Sequence, residues 1–258
     1  MDKILYYPVI DEKRAKWKKL IEKIKWWFFK NIVSDIDKAD AILVGWWDGF
    51  MIHTIKKYFD SGKLFFGFNC GTLWFLLNDF DSDLPKKKQD IDIIRWHCVK
   101  VEVFTNTGKK YNLYAVNDIV IWWNILDYFS FDIQSQDFSK KVKGTGLIIS
   151  TVLWSSGYWL SNGWPIMPMT SKLLGIMGIA AKPFNYHLVK YQNIKITPIG
   201  RMPFLVWIDW YSGKIENVKE VVISPSTKYV DLWFIKDYDF DSKRINLSNH
   251  KLSWISII

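Results

Sequence analysis

The run Ala41-Ile42-Leu43-Val44 constrains this chain more than any other segment. An all-apolar run closed by Gly45 reads as a strand buried on both faces, the environment of a parallel sheet covered by helices. Met51 to Phe59 then reads as a helix, and Leu64 to Phe68 as a second apolar strand ending at Asn69-Cys70-Gly71. Strand, loop, helix, strand is a βαβ unit, and such units bind ligands beyond the carboxyl ends of their strands. Upstream, Lys3 to Ile10 is a short strand candidate. Asp11 to Lys30 reads as a basic amphipathic helix whose lysines form a solvated face.

After Pro85 and the Lys86-Lys87-Lys88 run the texture changes. Val99–Phe104, Lys109–Val116, Asp118–Ile121, Gly146–Thr151, Asn193–Pro198, Phe204–Asp209, Val218–Ile223 and Lys228–Ile235 all read as strands. Turns such as Thr107-Gly108 and Ser212-Gly213 separate them. The pattern predicts an α/β N-terminal domain over 1–112 and an all-β C-terminal domain over 113–236. The tail, 237–258, is expected to pack back on the first domain. Gly144 to Ser171 carries no charged residue over 28 positions. Thr, Ser, Asn, Gly and Pro165 punctuate it throughout, which fits buried strands and a ligand-lining loop better than a membrane span.

Composition narrows the function classes. The chain of 258 residues is 49% hydrophobic and 24% charged, enough to bury a core. Its formal charge is +9, yet only Arg14, Arg95, Arg201 and Arg244 among the 35 basic residues are arginine. Proteins that read phosphate backbones favour the bidentate guanidinium, so this lysine bias points to an AT-rich gene and not to nucleic-acid binding. Cys70 and Cys98 are too few for a disulfide framework, and the N-terminal apolar run is too short for a signal peptide. A reducing, cytoplasmic setting follows as the expectation. His53, His97, His187 and His250 lack metal-ligand spacing, so no protein-only metal site is expected.

Four segments carry candidate chemistry. Gly45-Trp46-Trp47-Asp48-Gly49 follows the AILV strand and can offer backbone N–H groups to phosphate and a carboxylate to a hydroxyl or metal. Gly67-Phe68-Asn69-Cys70-Gly71-Thr72-Leu73-Trp74-Phe75-Leu76 leads from a strand end into a helix. Asn117-Asp118 opens a strand, where such a pair also serves as a plain turn. Gly144-Thr145-Gly146-Leu147-Ile148-Ile149-Ser150-Thr151 continues through Trp154-Ser155-Ser156-Gly157-Tyr158-Trp159-Leu160-Ser161-Asn162-Gly163-Trp164-Pro165, rich in hydroxyls and small residues.

In that order and spacing the segments resemble the NAD kinase family, from about Ala41 to Asp209. The family carries a GGDG loop, an N-x-G-x-L-G-F-L segment, an N-[ED] pair and a long G-D-G-[LI]-[IV]-[VI]-S-T-P-T-G-S-T-A-Y-x-x-S-A-G-G-P stretch. The resemblance implies a two-domain fold of α/β and all-β parts, the second part nucleotide-binding. It also implies transfer of a phosphoryl group from ATP or polyphosphate, with Mg²⁺, to the adenosine 2′-hydroxyl of NAD. Asp48 then stands as the catalytic acid that assists deprotonation of the hydroxyl or helps hold Mg²⁺, with Gly49 beside the phosphate. Phe75 falls in the nucleotide pocket, and Asn117 and Asp118 fall on the pair that reads adenine and ribose. Ser156, Gly157, Tyr158 and Ser161 surround the dinucleotide, and Asp209 sits in a V-x-[IV]-D-G-like segment. Thr145 takes the place of the family's Asp and makes a changed nicotinamide-side contact. Phe50 stands for the usual Thr after the loop, and Val152-Leu153 for Pro-Thr. A homodimer or homotetramer is implied, with neither nucleic acid nor membrane as a partner. Two other readings share features with this one: a lipid kinase, which also carries the GGDG loop, and a dinucleotide-binding homologue without turnover.

The largest departure is systematic. Trp46 and Trp47 fall on the two glycines of GGDG, and Trp74, Trp154, Trp164 and Trp210 on other motif glycines. The pairs Trp26-Trp27 and Trp122-Trp123 equally read as Gly-Gly. The chain holds 16 Trp against 14 Gly, an inversion of ordinary usage. Glycine is used where φ is positive or where backbone must touch a ligand, and a bulky residue there costs about 1–3 kcal/mol per site. The pattern predicts that the gene carries UGA codons read as glycine in its host and written here as tryptophan. Gradual decay of a dead enzyme would not select one residue type at glycines only.

Overall fold

The computed structural model describes residues 4–9, 31–69, 76–78, 90–123, 127–161, 164–181, 186–200, 203–209, 213–237 and 239–255. These residues form two compact units, Met1–Trp96 with Val230–Leu247, and His97–Tyr229 with Ser248–Ile258. The helix expected over Asp11–Lys30 lies outside the described residues.

The first unit is α/β. Strands β1 (Tyr6–Val9), β2 (Ala41–Trp46) and β3 (Leu64–Asn69) run parallel, with Tyr6 opposite Ala41 and Val44 opposite Gly67. The last residues of a long strand (Lys214–Ile235) add a further parallel neighbour, pairing Leu232 with Phe65 and Trp233 with Phe66. Alternation sends Ala41 and Leu43 to one face, where they pack with Ile4, Tyr6, Phe66, Phe68 and Trp233. The helix Asp48–Lys57 buries Met51, Ile52 and Ile55. Gly67 on β3 has a definite steric role: a Cβ there would collide with the side chains of Leu77 and Met51, so the bare backbone lets the helix and the returning chain close on the strand. A second helix, Phe240–Ile255, follows the long strand, where the sequence was read only as a tail.

In the second unit the strand pairings of known register among the described residues are antiparallel. The unit comprises β4 (Ile91–Thr105), whose first residues lie in the first unit, then β5 (Lys110–Ala115), β6 (Asp118–Trp122), β7 (Phe129–Ser135) and β8 (Ser139–Gly144). It continues through β9 (Gly146–Thr151), β10 (Leu173–Ile179), β11 (Tyr186–Lys190), β12 (Ile194–Ile199), β13 (Phe204–Ile208) and β14, the long Lys214–Ile235 strand. One run of pairings joins β14, β13, β6, β9, β10 and β11, and another joins β14, β12, β7 and β8. Their inward side chains, among them Val101, Ile119, Phe131, Ile149, Ile176, Phe204, Val206 and Val221, make one apolar core. The α/β and all-β parts are thus those the sequence predicts. Val218–Ile223 and Lys228–Ile235, read as two strands, are one: β14 runs through Pro225, and the Ser226 hydroxyl accepts the Lys228 N–H at 2.9 Å. Among the described residues no helix is long and apolar enough to cross a membrane.

Candidate active site

In the first unit the site is built at the end of β2. Trp47 is extended (φ −148°, ψ 161°) and caps the helix without a side-chain bond, and Asp48 is its first residue. A carboxylate in the first helical turn is stabilised by the unpaired N–H groups and the helix dipole. Asp48 is buried, and its Oδ1 accepts the backbone N–H of Leu76 at 2.9 Å. This fixes the carboxylate's direction. Gly49 is buried in the same turn, and the Trp47 indole lies over it: a Cβ on Gly49 would stand 2.8 Å from Trp47 Cζ3. Trp47 itself is 36% exposed.

Two residues that the sequence reading did not single out as functional complete this unit. Arg244, on the C-terminal helix, is fully buried. Burial lowers its guanidinium to about 10, while the carboxylates of Asp241 and Asp48 hold the proton on. Asn78 is also fully buried. Its Nδ2 donates to the carbonyls of Gly67 and Trp233, each at 3.1 Å, and its Oδ1 accepts the Ile235 N–H at 3.0 Å. Asn78 thereby ties β3 to the end of β14. The signal for Arg244 was its rarity, one of four arginines in a lysine-rich chain; Asn78 had none.

In the second unit the Asn117-Asp118 turn is held from three sides. Asp209, just past β13, is buried, and its Oδ1 accepts the N–H groups of Val116, Asn117 and Asp118 at 3.2, 2.7 and 3.2 Å. Its own N–H donates to the Asp118 carbonyl at 2.9 Å. From β9, the Thr151 hydroxyl donates to the Val116 carbonyl at 2.7 Å, and the Thr151 N–H to the Asn117 carbonyl at 2.8 Å. The backbone of the turn is thus satisfied, yet Asn117 Oδ1 is buried without a hydrogen-bond partner. A buried acceptor in that state marks a place for a ligand donor. Burial and the neighbouring Asp209 carboxylate push the Asp118 carboxyl up to about 7.

Soon after the end of β9 comes a short helical segment kinked at Gly157, Ser155–Trp159. Ser155 and Ser156 are buried, with Ser155 Oγ donating to the Val152 carbonyl at 2.8 Å and accepting the Met167 N–H at 3.0 Å. Gly157 breaks the turn (φ −91°, ψ −122°), and the exposed Ser161 hydroxyl donates to its carbonyl at 3.1 Å. The Trp154 indole lies across Gly157. Trp159, in contrast, is wholly buried, stacks edge-on against Tyr186 and donates from Nε1 to the Pro165 carbonyl at 2.9 Å.

The structure thus brings Asn117, Asp118, Thr151 and the start of the 155–161 segment to one end of β9. Thr145 lies at the other end, because Asp118 pairs with Ser150 and Trp122 with Gly146. At about 3.3 Å per residue that separates Thr145 from the Asn117 turn by nearly a full strand length. Its hydroxyl donates to the Ile179 carbonyl at 3.3 Å. Phe75, Trp74 and Trp210 lie outside the described residues, as do the side chains of Trp46 and Tyr158.

Comparison with known proteins shows similarity over most of the chain. The chain is 28% identical over 247 residues to an NAD kinase of Rickettsia prowazekii, covering 92% of this chain and 95% of that protein. It is 27% identical over 217 residues to an NAD kinase of Xylella fastidiosa, covering 81% and 83%. This chain is a relative of the NAD kinases. It also has their fold: the structure of an NAD kinase from Archaeoglobus fulgidus in complex with ATP superposes with a TM-score of 0.73 at 15% identity, over 95% of this chain and 99% of that one. Yeast NADH kinase complexed with NADH gives 0.75 at 13% identity, over 95% and 87%. No family model matches the chain.

Proposed function

We propose that this chain is an NAD kinase that transfers the γ-phosphoryl of ATP to the adenosine 2′-hydroxyl of NAD, giving NADP. The observation that carries the reading is relatedness to NAD kinases over nine-tenths of the chain, beside a buried, oriented acid at a helix start. Asp48 is held by the Leu76 N–H with its carboxylate fixed before substrate arrives, and it takes the proton of the attacking hydroxyl. Positioning and charge stabilisation do most of the work in phosphoryl transfer, so a rigid acid at a helix start suits the reaction. Asn117 Oδ1, buried without a partner, accepts from the adenine amino group, and Asp118 accepts from a ribose hydroxyl.

Among the described residues no cluster of three or more acidic, His or Cys side chains could hold a metal by itself. That donor set fits Mg²⁺, which binds through one or two carboxylates and the substrate's own phosphates. Asp48 is the carboxylate placed for it, and the ion would neutralise the triphosphate charge. Polyphosphate is an alternative donor, a homodimer or homotetramer the assembly we infer, and the cytoplasm the compartment where both nucleotides are available.

One observation favours a second reading for the chain as written, a dinucleotide-binding protein without turnover. The indoles of Trp47 and Trp154 cover Gly49 and Gly157, where backbone would have to approach phosphate and dinucleotide. The test is NADP formation from NAD, ATP and Mg²⁺, run beside NAD binding by calorimetry. Turnover supports the kinase, and binding without product supports the module. Phosphorylation of diacylglycerol with NAD left untouched would replace both with a lipid kinase.

A further inference from the structure

The second unit contains a buried acid to which the proposed chemistry gives no role. Asp209 is 1% exposed and adopts a left-handed backbone (φ +47°), a conformation that few residues other than Gly, Asn and Asp accept. One oxygen, Oδ1, gathers three successive N–H groups, those of Val116, Asn117 and Asp118, and Oδ2 takes a second bond from Val116 at 3.1 Å. Three convergent donors on one carboxylate oxygen form a rigid nest.

We propose that Asp209 is a positioning residue that locks the Asn117-Asp118 turn, aims the buried Asn117 amide oxygen, and sets the charge of Asp118. The ligand it serves rests on the reading of the chain as an NAD kinase. The lock works in both directions, because the Asp209 N–H also holds the Asp118 carbonyl. It is reinforced from β9, where Thr151 secures the two remaining carbonyls of the turn. With the backbone so constrained, Asn117 Oδ1 is presented buried and without a protein donor, open to one from a ligand. The charge effect follows from proximity. Across β9, Asp118 faces Ser150, which is neutral. Cys98, also within reach of the Asp209 charge, has its thiol pushed up to about 12 and stays protonated. Burial raises the Asp118 carboxyl most, and the Asp209 carboxylate beside it raises it further.

The test compares two substitutions in the full chain. Asp209→Asn keeps an oxygen at the Oδ1 position and tolerates the left-handed backbone, but it removes the charge. Asp209→Ala removes both. We expect Asp209→Ala to raise KM for NAD at least tenfold with a smaller change in kcat. In Asp209→Asn, the midpoint of the pH dependence of KM should move at least one unit toward acid. A merely structural role would lower the melting temperature without moving that midpoint. Unchanged KM in Asp209→Ala, or an unmoved midpoint in Asp209→Asn, overturns the proposal. The Asp118 carboxyl is also titrated by NMR without ligand, in wild type and Asp209→Asn. An acid shift there upholds the charge coupling, and its absence overturns it. A wild type that binds no NAD overturns the proposed function instead, and the ligand-free titration still decides the coupling.

Discussion

Asp48 Oδ1 and the Leu76 N–H are joined at 2.9 Å, both buried, so the proposed catalytic acid is also a structural acceptor. This decides which substitution reads chemistry most directly. Asn at position 48 keeps an amide oxygen for Leu76 but cannot take a proton from a hydroxyl. Asp48→Asn is expected to bind NAD and lose about 10²–10⁴-fold in NADP formation, with some loss of stability because its charge helps hold that of the buried Arg244. Asp48→Ala leaves a buried N–H unsatisfied and should cost about 1–3 kcal/mol of stability in addition. Near-normal turnover in Asp48→Asn would remove the residue from its role.

Asn78 is expected to matter for stability and hardly at all for chemistry. Its side chain completes bonds to Gly67, Trp233 and Ile235 in a fully buried position. Asn78→Ala removes the side-chain bonds to the Trp233 carbonyl and the Ile235 N–H at the β3–β14 seam, while the Gly67 carbonyl keeps the N–H of residue 78, and should cost about 2–5 kcal/mol in urea unfolding. At temperatures where the variant is folded, kcat should stay within a few-fold of wild type. A variant that unfolds with wild-type free energy would show that the seam does not depend on it.

What the sequence made legible follows burial. Ala41–Val44 and Leu64–Phe68 are apolar on both faces and were read as the parallel strands they are. β8, Ser139-Lys140-Lys141-Val142-Lys143-Gly144, was missed because only Val142 and Gly144 turn inward and three lysines face water. β10 was missed for the opposite reason. It is buried almost throughout, but Gly175 and Gly178 interrupt its apolar run, and the reason for Gly175 lies elsewhere in the chain: a Cβ there would stand 2.5 Å from the Trp159 ring. Of the proposed site residues, Asp48, Asn117 and Asp118 stand out in short motifs. Asp209 was noticed without a role, because its partners lie about 90 residues upstream and only the fold brings them to it.

The Asp118 carboxyl, pushed up to about 7 by burial and by Asp209, gives a pH dependence with a definite sign. The folded protein holds a proton that the unfolded chain releases near pH 4. Stability from this group is therefore full below about pH 4 and is lost as pH rises through about 7. Ligand binding runs the other way, because accepting from a ribose hydroxyl needs the carboxylate. NAD affinity should rise between about pH 6 and 8 while this contribution to stability falls. Asp118→Asn should flatten both profiles, as read by calorimetry and by thermal melts across that window. Profiles in Asp118→Asn that match wild type would assign the pH dependence to another group.

The tryptophans divide into those that pack and those that, at motif glycines, cover. Trp159 is wholly buried with its Nε1 bonded, and substitution there should destabilise the second unit by about 3–5 kcal/mol as a large-to-small core change. Trp47 and Trp154 instead lay their rings on Gly49 and Gly157. Replacing them with Gly, together with Trp46, Trp74 and Trp164, should restore backbone access and raise NADP formation from NAD, ATP and Mg²⁺ by at least tenfold. Two observations make this a statement about the gene as well as the protein. If UGA is read as glycine, the codons at 46, 47, 74, 154, 164 and 210 are UGA, and the intact mass of protein purified from its own host falls short of the written sequence by one Trp-to-Gly difference per such codon. UGG at these positions, with a mass that matches the written chain, would make the tryptophans genuine. Equal turnover by the Trp and Gly forms would then mean that this loop accepts phosphate with the indoles in place, and that glycine's conformational freedom is not what the reaction requires here.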